Sequence, residues 1–353
     1  MSEELNAPGW DAIDQTLRNI YGDQEPKHYG TLIPYALGGQ DPLQGISAYM
    51  AETPQPHWHF VTYGFSALYE KESENADYSG YGFELTFRLP RQPEEEEPPA
   101  WALNLLQNIG RYVFGSGNTF QAGDYMDANG PICLDADTRI TALAFTADPE
   151  LPEIDTPNGR LEFLQMIGIT ADELQAMQTW NTLGVLSVCE PYMPRYITDL
   201  NRDSFLRHDA VSGAIRLGHE RDGSSTGFLY VDQLTWEPGK KGLFKKSSST
   251  LTLGAKQAGI IGSLLRGRIL KGKKLSLSGP SIRVVFEPGE SPAWETQEGE
   301  VRIMLNGPVV DELASKLIPQ AGVFEVSFLT GVLFQIVKTE IKDHEGQVVE
   351  IIG

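Results

Sequence analysis

The stretch GYGFELTFRL, residues 80–89, decides the fold class of the first half of the chain. Its large apolar residues, Phe83, Leu85, Phe87 and Leu89, alternate with small or polar residues, so they share one face of an extended strand. Alternation with a period of two is typical of a strand that covers a hydrophobic core on one side only. The neighbouring stretch HWHFVTYGFSALY has the same character, and the first half is therefore predicted to be built on a sheet.

Amphipathic helices accompany these strands. Residues 9–20 place Trp10, Ile13 and Leu17 at spacings of three and four, which predicts a short helix. The stretch PAWALNLLQNIGRYVFGSG is entered through a proline and stopped by glycines, as a buried helix would be. TADELQAMQTWN begins with Thr170 followed by Glu173, a capping-box pattern. The first domain should mix α and β structure.

A chain of 353 residues exceeds the usual size of one compact core and favours two domains. The stretch WEPGKKGLFKKSSST interrupts the apolar periodicity, so we place a first domain at residues 1–237, a basic linker at 238–249 and a second domain at 250–353. Beyond the linker, short segments including IIGSLLRGRIL read as strands, and DELASKLI reads as the one clear helix. The predicted fold class is α+β, with an N-terminal mixed α/β sheet domain and a C-terminal β-rich domain.

Charge is divided unequally between the two halves of this acidic protein. From Gly239 onwards there are 11 Lys and 4 Arg against 12 Asp and Glu, a net of +3, so residues 1–238 carry −23 of the total of −20. Between Glu237 and Glu287 there is no acidic residue. An acidic first half would steer a cationic peptide or protein towards itself.

Two observations bear on location. The longest apolar run is broken by polar residues and is too short to cross a bilayer, and the acidic N-terminus lacks the basic and apolar regions of a signal peptide. We expect a cytoplasmic protein without a membrane partner.

Cys133 and Cys189 form no CxxC pair, so free buried thiols are expected.

The stretch PHWHF, residues 56–60, raises the question of a metal site. On a strand, His57 and His59 would share one face and could ligate one ion. No further histidine stands in a metal-binding pattern, and the commoner explanation of such a pair is one hydrogen-bonded structural histidine with the other partly exposed. A metal-dependent hydrolase centred on these residues is kept as an alternative, while no metal ligand is assigned.

Sequence motifs of catalysis are absent. There is no GxSxG elbow, no phosphate-binding GxxxxGK[ST] loop and no GxGxxG between a strand and a helix. We therefore predict a protein that is not an enzyme, with no catalytic residue and no cofactor. Nucleic-acid binding through the basic block at residues 240–283 remains a second alternative, although the overall pI of about 4.7 opposes it.

Long motifs in the first half resemble one family. The segments LGGQDPLQGISAY, PHWHFVTYGFSALY, GYGFELTFRL, GRYVFGSGNTFQAGD, TPNGRLEFLQMIGIT and ELQAMQTWN occur in the order found in the suppressor of fused family. The resemblance covers about residues 10–235, and SLLRGRILKGKKLSLSGPSIRVVF resembles the family's second half more weakly.

This resemblance implies a non-catalytic clamp that holds a short partner segment between two domains as an added strand. Animal members bind zinc-finger transcription factors of the Hedgehog pathway, and their partner-contacting tyrosine and aspartate match Tyr112 in GRYVF and Asp124 in QAGD. An acidic side chain there suits a basic or histidine-containing segment. A core aromatic and a turn-capping carboxylate are the structural alternatives. Arg266 and Arg268, in SLLRGRIL, complete the predicted partner-binding set.

The chain lacks the long insertion typical of the second half of the animal proteins. This compact form resembles the bacterial branch of the family, whose members are thought to act as immunity proteins against secreted toxins. Toxin immunity is therefore the narrower functional expectation.

Overall fold

The computed structural model describes residues 6–33, 35–71, 75, 77–239, 248–342 and 346–353. The chain forms two compact units. The first unit comprises Met1–Leu174 and Val185–Val211, and the second comprises Gln175–Gly184 and Ser212–Gly353.

The first unit is built on one eight-stranded sheet and two long helices. Its elements are, in chain order, α1 (Pro8–Tyr21), β1 (Lys27–Gly30), β2 (Gly45–Ala51), β3 (His57–Tyr63), β4 (Tyr78–Pro90), α2 (Ala100–Ser116), β5 (Tyr125–Asp127), β6 (Ile140–Ala147), β7 (Ile154–Thr156) and β8 (Gly159–Thr170). The strands lie in the order β1-β2-β3-β4-β8-β6-β5, with β7 paired to β8. Among the described strands of this sheet, β4 and β8 are the only parallel neighbours. The end strands of the order are β1 and β5.

Each face of the sheet is covered by one of the helices. The alternating residues of β4, represented by Phe83 and Phe87, pack with Leu106 and Val113 of α2. On the opposite face, Ile13 and Leu17 of α1 pack with residues of β3 and β8. The predicted alternation of β4 is thus confirmed, and the helices predicted at residues 9–20 and in PAWALNLLQNIGRYVFGSG are present. The expectation of a core on one side only was wrong, because Glu84, Thr86 and Arg88 between the apolar residues are buried as well.

Three helices follow in the stretch that contains the division between the units. They are α3 (Ala171–Thr179), α4 (Thr182–Cys189) and α5 (Asp209–Asp222). The start of α3 has one half of the predicted capping box, because a carboxylate oxygen of Glu173 accepts the backbone N–H of Thr170 at 3.0 Å. The other half is replaced, because the N–H of Glu173 bonds to the carboxylate of Asp172 at 3.1 Å rather than to the hydroxyl of Thr170. The thiols of Cys133 and Cys189 are free and buried, as expected.

Beyond α5, the described residues of the second unit form three smaller sheets and two helices. Its remaining elements are β9 (Phe228–Tyr230), β10 (Thr235–Glu237), β11 (Ser249–Gly254), α6 (Ala255–Ile269), β12 (Leu275–Ser278), β13 (Arg283–Pro288), β14 (Ala293–Gln297), β15 (Glu300–Leu305), α7 (Gly307–Lys316), β16 (Gly322–Glu325), β17 (Val332–Val337), β18 (Thr339–Lys342) and β19 (Val348–Ile352). The strand orders are β10-β11-β17-β16, β14-β15-β13-β12-β9 and β18-β19. This agrees with the predicted α+β class.

The predicted boundary at residues 238–249 differs from the division between the units. Strands β9 and β10 precede it but pair with β12 and β11, which follow it, so these strands belong to the sheets of the second unit. Residues 240–247 of the predicted linker lie outside the described residues.

The prediction of a strand at IIGSLLRGRIL was wrong, because residues 260–269 of this stretch lie in α6. Glycines lower helix propensity and obscured the helical period in this stretch. Packing explains the glycine at position 262, because a Cβ there would lie 2.9 Å from the backbone oxygen of Ala314 in α7. The bare backbone therefore permits a close approach of the two helices.

A buried glutamate anchors the connection between β3 and β4. One carboxylate oxygen of Glu84 accepts the N–H of Gly64 at 2.8 Å and both the N–H and the hydroxyl of Ser66 at 2.9 and 2.7 Å, and the other accepts the hydroxyl of Thr62 at 2.6 Å. Burial raises the pKa of Glu84 to about 7, against the opposing effect of these hydrogen bonds.

This raised pKa predicts a pH dependence of stability. The folded state holds the Glu84 proton more tightly than the unfolded state, so the contribution is full below the ordinary pKa of 4.5 and declines as the pH rises towards 7. The loss should amount to about 3 kcal/mol at most. The Glu84→Gln variant keeps an acceptor oxygen and an N–H donor for Thr62, and it should lack this decline in urea-unfolding midpoints between pH 5 and pH 8.

The Glu84→Ala variant is the matched comparison. It leaves the N–H groups of Gly64 and Ser66 without their acceptor, which should cost about 1–3 kcal/mol at every pH. Identical pH profiles of the wild type and the Glu84→Gln variant would contradict the assignment.

Candidate partner-binding site

Tyr112 lies at the C-terminal end of α2, where the helix presents an aromatic surface. The helix ends because Gly117 adopts a left-handed conformation with φ of 73° and donates its N–H to the oxygen of Val113 at 2.8 Å. The side chain of Tyr112 is 40% exposed, and its hydroxyl accepts a hydrogen bond from Asn118 at 3.1 Å. Its ring centroid lies 5.8 Å from that of Phe120. Tyr112 is therefore a surface aromatic residue rather than a core residue.

Asp124 organises the turn that leads into β5. A carboxylate oxygen accepts the N–H of Gln121 at 2.9 Å, and the backbone N–H of Asp124 bonds to the oxygen of Gln121 at 3.1 Å. Gly123 has φ of 100°, a value that a residue with a side chain rarely adopts. The half-buried Asp124 thus caps a turn, as the structural alternative expected.

Phe120 joins the two predicted residues into one site. It stacks on Phe145 of β6 with centroids 4.1 Å apart, while its ring neighbours that of Tyr112. The backbone oxygen of Asp124 accepts the N–H of the same Phe145 at 3.0 Å. Sequence reasoning did not single out Phe120, although its place between the two predicted residues in NTFQAGD was a usable signal.

Strand β5 gives this site an edge. It is the last strand in the sheet order. Met126 pairs with Leu143 of β6, and the hydrogen bond from Phe145 to Asp124 continues the same register. Backbone groups alternate in direction along an antiparallel strand, so those of Asp127 are turned away from β6. The site therefore combines an exposed tyrosine, two aspartates and outward-facing backbone. Sequence reasoning missed Asp127, because only the register shows its direction.

In the second unit, Arg266 and Arg268 lie on α6 and have different surroundings. Arg266 is an exposed side chain beside Asp311, with Nε 3.4 Å from Oδ1. Arg268 donates to the backbone oxygens of Lys274 at 2.6 Å and Ser224 at 2.9 Å, and burial lowers its pKa. Arg268 thereby holds the chain just before β9, which is the end strand of its sheet.

His57 and His59 share one face of β3, as predicted, and both are fully buried. The Nδ1 atom of His57 lies 2.7 Å from the oxygen of Gln55, and Nδ1 of His59 lies 2.6 Å from the hydroxyl of Tyr21. The Nε2 atom of His59 lies 3.5 Å from Asp148. Desolvation and the neighbouring charge of Arg88 together lower the pKa of His59 to about 4, so the ring is neutral at pH 7.

These contacts favour a structural role for both histidines. Within the described ranges of the chain, no group of three or more His, Cys, Asp or Glu residues has the arrangement of a metal site. The alternative of a metal-dependent hydrolase centred on His57 and His59 therefore gains no support from the arrangement around them.

The described part of the basic block is largely engaged within its own unit. Lys271 donates to the oxygen of Glu220 at 2.7 Å and Lys273 to that of Asp222 at 3.2 Å, at the C-terminal end of α5. Positive charge is favourable there because helix C-termini carry partial negative charge. Lys274 pairs with Glu287 at 2.7 Å. The structure does not describe the other lysines of the block, Lys240, Lys241, Lys245 and Lys246.

No helix in the described part of the chain is long and apolar enough to span a membrane.

Comparison with known proteins gives matches to one family. The model of the family described as "Suppressor of fused protein (SUFU)" matches residues 39–203. The human protein "Suppressor of fused homolog" is 37% identical over 235 residues, which are 62% of this chain and 48% of the human protein, and the mouse protein of that name gives the same figures. The chain spans about half the length of the curated relatives that it matches.

Solved structures agree with these matches. The crystal structure of Drosophila Suppressor of Fused matches this chain with a TM-score of 0.78, and the match covers 94% of this chain and 97% of the Drosophila chain. The two sequences are 23% identical, so this match is a likeness of fold. A chain of the Sufu-Fu complex crystal structure is 33% identical, with a TM-score of 0.56 over 60% of this chain and 97% of its own. With identity at that level across nearly the whole of a solved relative, and with the family model matched, this chain belongs to the suppressor of fused family.

Proposed function

We propose that this chain is a non-catalytic protein-binding module that captures an extended segment of a partner protein at the edge of β5. The observation that carries the proposal is the position of Asp124, whose carboxylate caps the turn directly before an end strand. Strand addition satisfies outward-facing backbone groups such as those of Asp127, while neighbouring side chains select the sequence. The relative in the Sufu-Fu complex was solved together with a bound protein, which supports a protein partner here.

The chemistry of the site favours a segment with a histidine or a basic residue. Asp124 and Asp127 supply negative charge, and residues 1–238 carry a net charge of −23. Tyr112 offers an exposed ring on which an imidazole or guanidinium group can stack. Association should therefore be fast at low salt and slower as salt screens the charges.

The second unit supplies a further edge, and we propose that it also takes part in partner binding. Strand β9 is an end strand, and its Phe228 and Tyr230 side chains are 57% and 51% exposed. Arg268 positions the residues before β9, whereas Arg266 is exposed beside Asp311 and available to a partner carboxylate. Participation of both units in partner binding agrees with the clamp that the family resemblance implies.

The narrower proposal is immunity against a secreted toxin. Its support is the resemblance of this compact chain to the bacterial branch and the acidic first half, which suits a basic toxin. Affinity purification of the tagged chain from its native host should recover a toxin encoded beside it. Recovery of unrelated abundant proteins alone would count against toxin immunity, but not against the proposal of a protein-binding module.

Asp124→Asn tests the β5 site, because asparagine keeps an acceptor for Gln121 and removes only the charge. Phage-displayed peptides of about ten residues, the length of a long strand, should be enriched by the wild type with a histidine or basic residue at one fixed position. The Asp124→Asn variant should weaken binding of the selected peptides about tenfold, the loss of one charge-assisted contact.

Asp199→Asn is the matched control, since Asp199 also caps a turn in the first unit by accepting the N–H of Asn201 at 2.9 Å. It should bind the selected peptides as the wild type does. Equal affinity of the wild type and the Asp124→Asn variant would remove Asp124 from the site.

Arg266→Ala and Arg268→Ala should separate binding from stability. Arg268→Ala leaves backbone oxygens of Ser224 and Lys274 without their donor and should cost about 1–3 kcal/mol in urea unfolding. Arg266→Ala loses one exposed ion pair and should cost about 1 kcal/mol or less. If Arg266 contacts the partner, its variant loses affinity without losing stability; unchanged affinity would restrict the binding surface to the other predicted residues.

A further inference from the structure

We propose a second strand-docking groove in the first unit, along β1 at the other end of the eight-stranded sheet from β5. Its ligand is an extended protein segment in which basic and aliphatic side chains alternate. The proposal is independent of the β5 site, because it rests on different strands and cavities.

The backbone of β1 is oriented to accept another strand. β1 is an end strand of the sheet and pairs on one side with β2. Thr31 donates its N–H to the oxygen of Gln44 at 3.0 Å in the same register, so Tyr29 and Ile46 form a hydrogen-bonded pair. The alternation of an antiparallel ladder then turns the backbone N–H and C=O of His28 and Gly30 away from β2.

A cavity of about 550 Å³ lies against β1 on the face that α2 covers, and we call it the apolar cavity after its aliphatic residues, although Gln40, Asp41, Asn104 and Gln107 also line it. Its lining includes Leu32, Ile33, Ile46 and Leu103. The side chains of Leu32 and Ile33 are 98% and 58% exposed. Adjacent exposed aliphatic residues beside a concave surface mark a place where a partner's apolar side chain can be buried.

An acidic cavity of about 510 Å³ lies against β1 on the face that α1 covers. Three carboxylates line it, those of Asp14, Asp23 and Glu25, against the single guanidinium of Arg18. His28 also lines the cavity, and burial lowers its pKa, so it adds no positive charge at pH 7. This cavity suits a lysine or arginine side chain.

The acidic loop before α2 adds negative charge at the same edge. The carboxylate of Glu97 pairs with Lys27 at 2.5 Å and accepts the hydroxyl of Tyr29 at 2.7 Å, which brings this loop to β1. Glu94 and Glu96 beside it are exposed. A second copy of this chain, with its net charge of −20, would bring like charges together at such an edge, so the occupant is a basic segment of another protein.

The two cavities define the pattern of the ligand. Successive side chains of an added strand point to opposite faces of the sheet. One side chain therefore enters the apolar cavity while the next enters the acidic cavity, and the backbone pairs with His28 and Gly30. No block of basic residues or block of apolar residues can fill both cavities from one strand.

The direct test uses a labelled peptide of about eight residues that alternates arginine with valine or leucine, long enough to span β1. The comparison peptide has the same composition arranged as a basic block and an apolar block. Fluorescence anisotropy should show the alternating peptide binding at least about tenfold more tightly, the effect of losing one buried side chain. Equal affinities would reduce the binding to charge attraction and overturn the proposal.

Gly30→Pro tests strand addition itself. Proline removes an N–H that bonds no atom of β2 and is tolerated on an edge strand, but its ring blocks an incoming strand. Gly30→Ala is the matched control: a Cβ there meets its nearest atom, in His28, at an ordinary 3.7 Å. The proline variant should lose about tenfold or more in affinity for the alternating peptide, and the alanine variant should stay within about twofold.

Each cavity has its own pair of variants. Leu32→Ser should weaken binding, whereas Leu37→Ser, a comparably exposed change in the same loop but outside the apolar cavity, should not. Asp23→Asn with Glu25→Gln should weaken binding more than Glu295→Gln with Glu298→Gln, which changes the net charge equally in the second unit.

Asp124→Asn distinguishes the two sites. It should leave affinity for the alternating peptide unchanged if that peptide docks at β1. Loss of binding in the Asp124→Asn variant together with full binding by the Gly30→Pro variant would assign the peptide to β5 and refute the β1 groove.

Discussion

The sheet of the first unit depends on a buried ion pair between Arg88 and Asp148. Arg88 Nη1 and Nη2 lie 2.6 and 3.0 Å from the two carboxylate oxygens of Asp148, and neither side chain is exposed. Burial alone would raise the pKa of Asp148, but its hydrogen bond with His59 and the charge of Arg88 hold that pKa well below its usual range. Because loss of one partner leaves an uncompensated buried charge at a cost of about 3–5 kcal/mol, each residue requires the other. Arg88 lies on β4 and Asp148 follows β6, and Gln165 of the intervening β8 also accepts from Arg88, so one polar cluster links three neighbouring strands.

The buried polar contacts lie in the central strands of the sheet, whereas the surfaces proposed for partner binding lie at its end strands. The central strands are covered by α1 and α2, and their buried histidines, His57 and His59, have hydrogen-bond contacts within the unit through Nδ1. The end strands β1 and β5 present outward backbone beside carboxylates. Binding there can add main-chain hydrogen bonds without disturbing the buried charges, which is why strand addition is the mode of recognition best suited to this fold. Acidic side chains at both edges bias the choice of partner towards positive charge.

Much of this fold follows from sequence pattern, because alternation in β4 and capping signals at α2 and α3 are local and strong. Tyr112 and Asp124 could be located only through family resemblance, since an exposed tyrosine and a turn aspartate have no pattern of their own. The helix α6 was mistaken for a strand because its glycines serve packing against α7, a tertiary requirement that sequence periodicity does not carry. Likewise, His59 of β3 resembled a metal ligand because the groups that its imidazole contacts, Tyr21 and Asp148, are distant in sequence. The direction of the backbone at Asp127 depends on register, which only the assembled sheet shows.

Hydrogen exchange at β5 tests the central claim most directly. Mass spectrometry should follow amide exchange in fragments covering residues 120–130, with and without a saturating peptide selected by the wild-type chain. Strand addition should slow exchange in this segment on binding, because the outward N–H of Asp127 gains an acceptor. Exchange in β4, already protected at the centre of the sheet, should not change. Protection that appears elsewhere while residues 120–130 exchange as in the free protein would contradict capture of the partner at this edge.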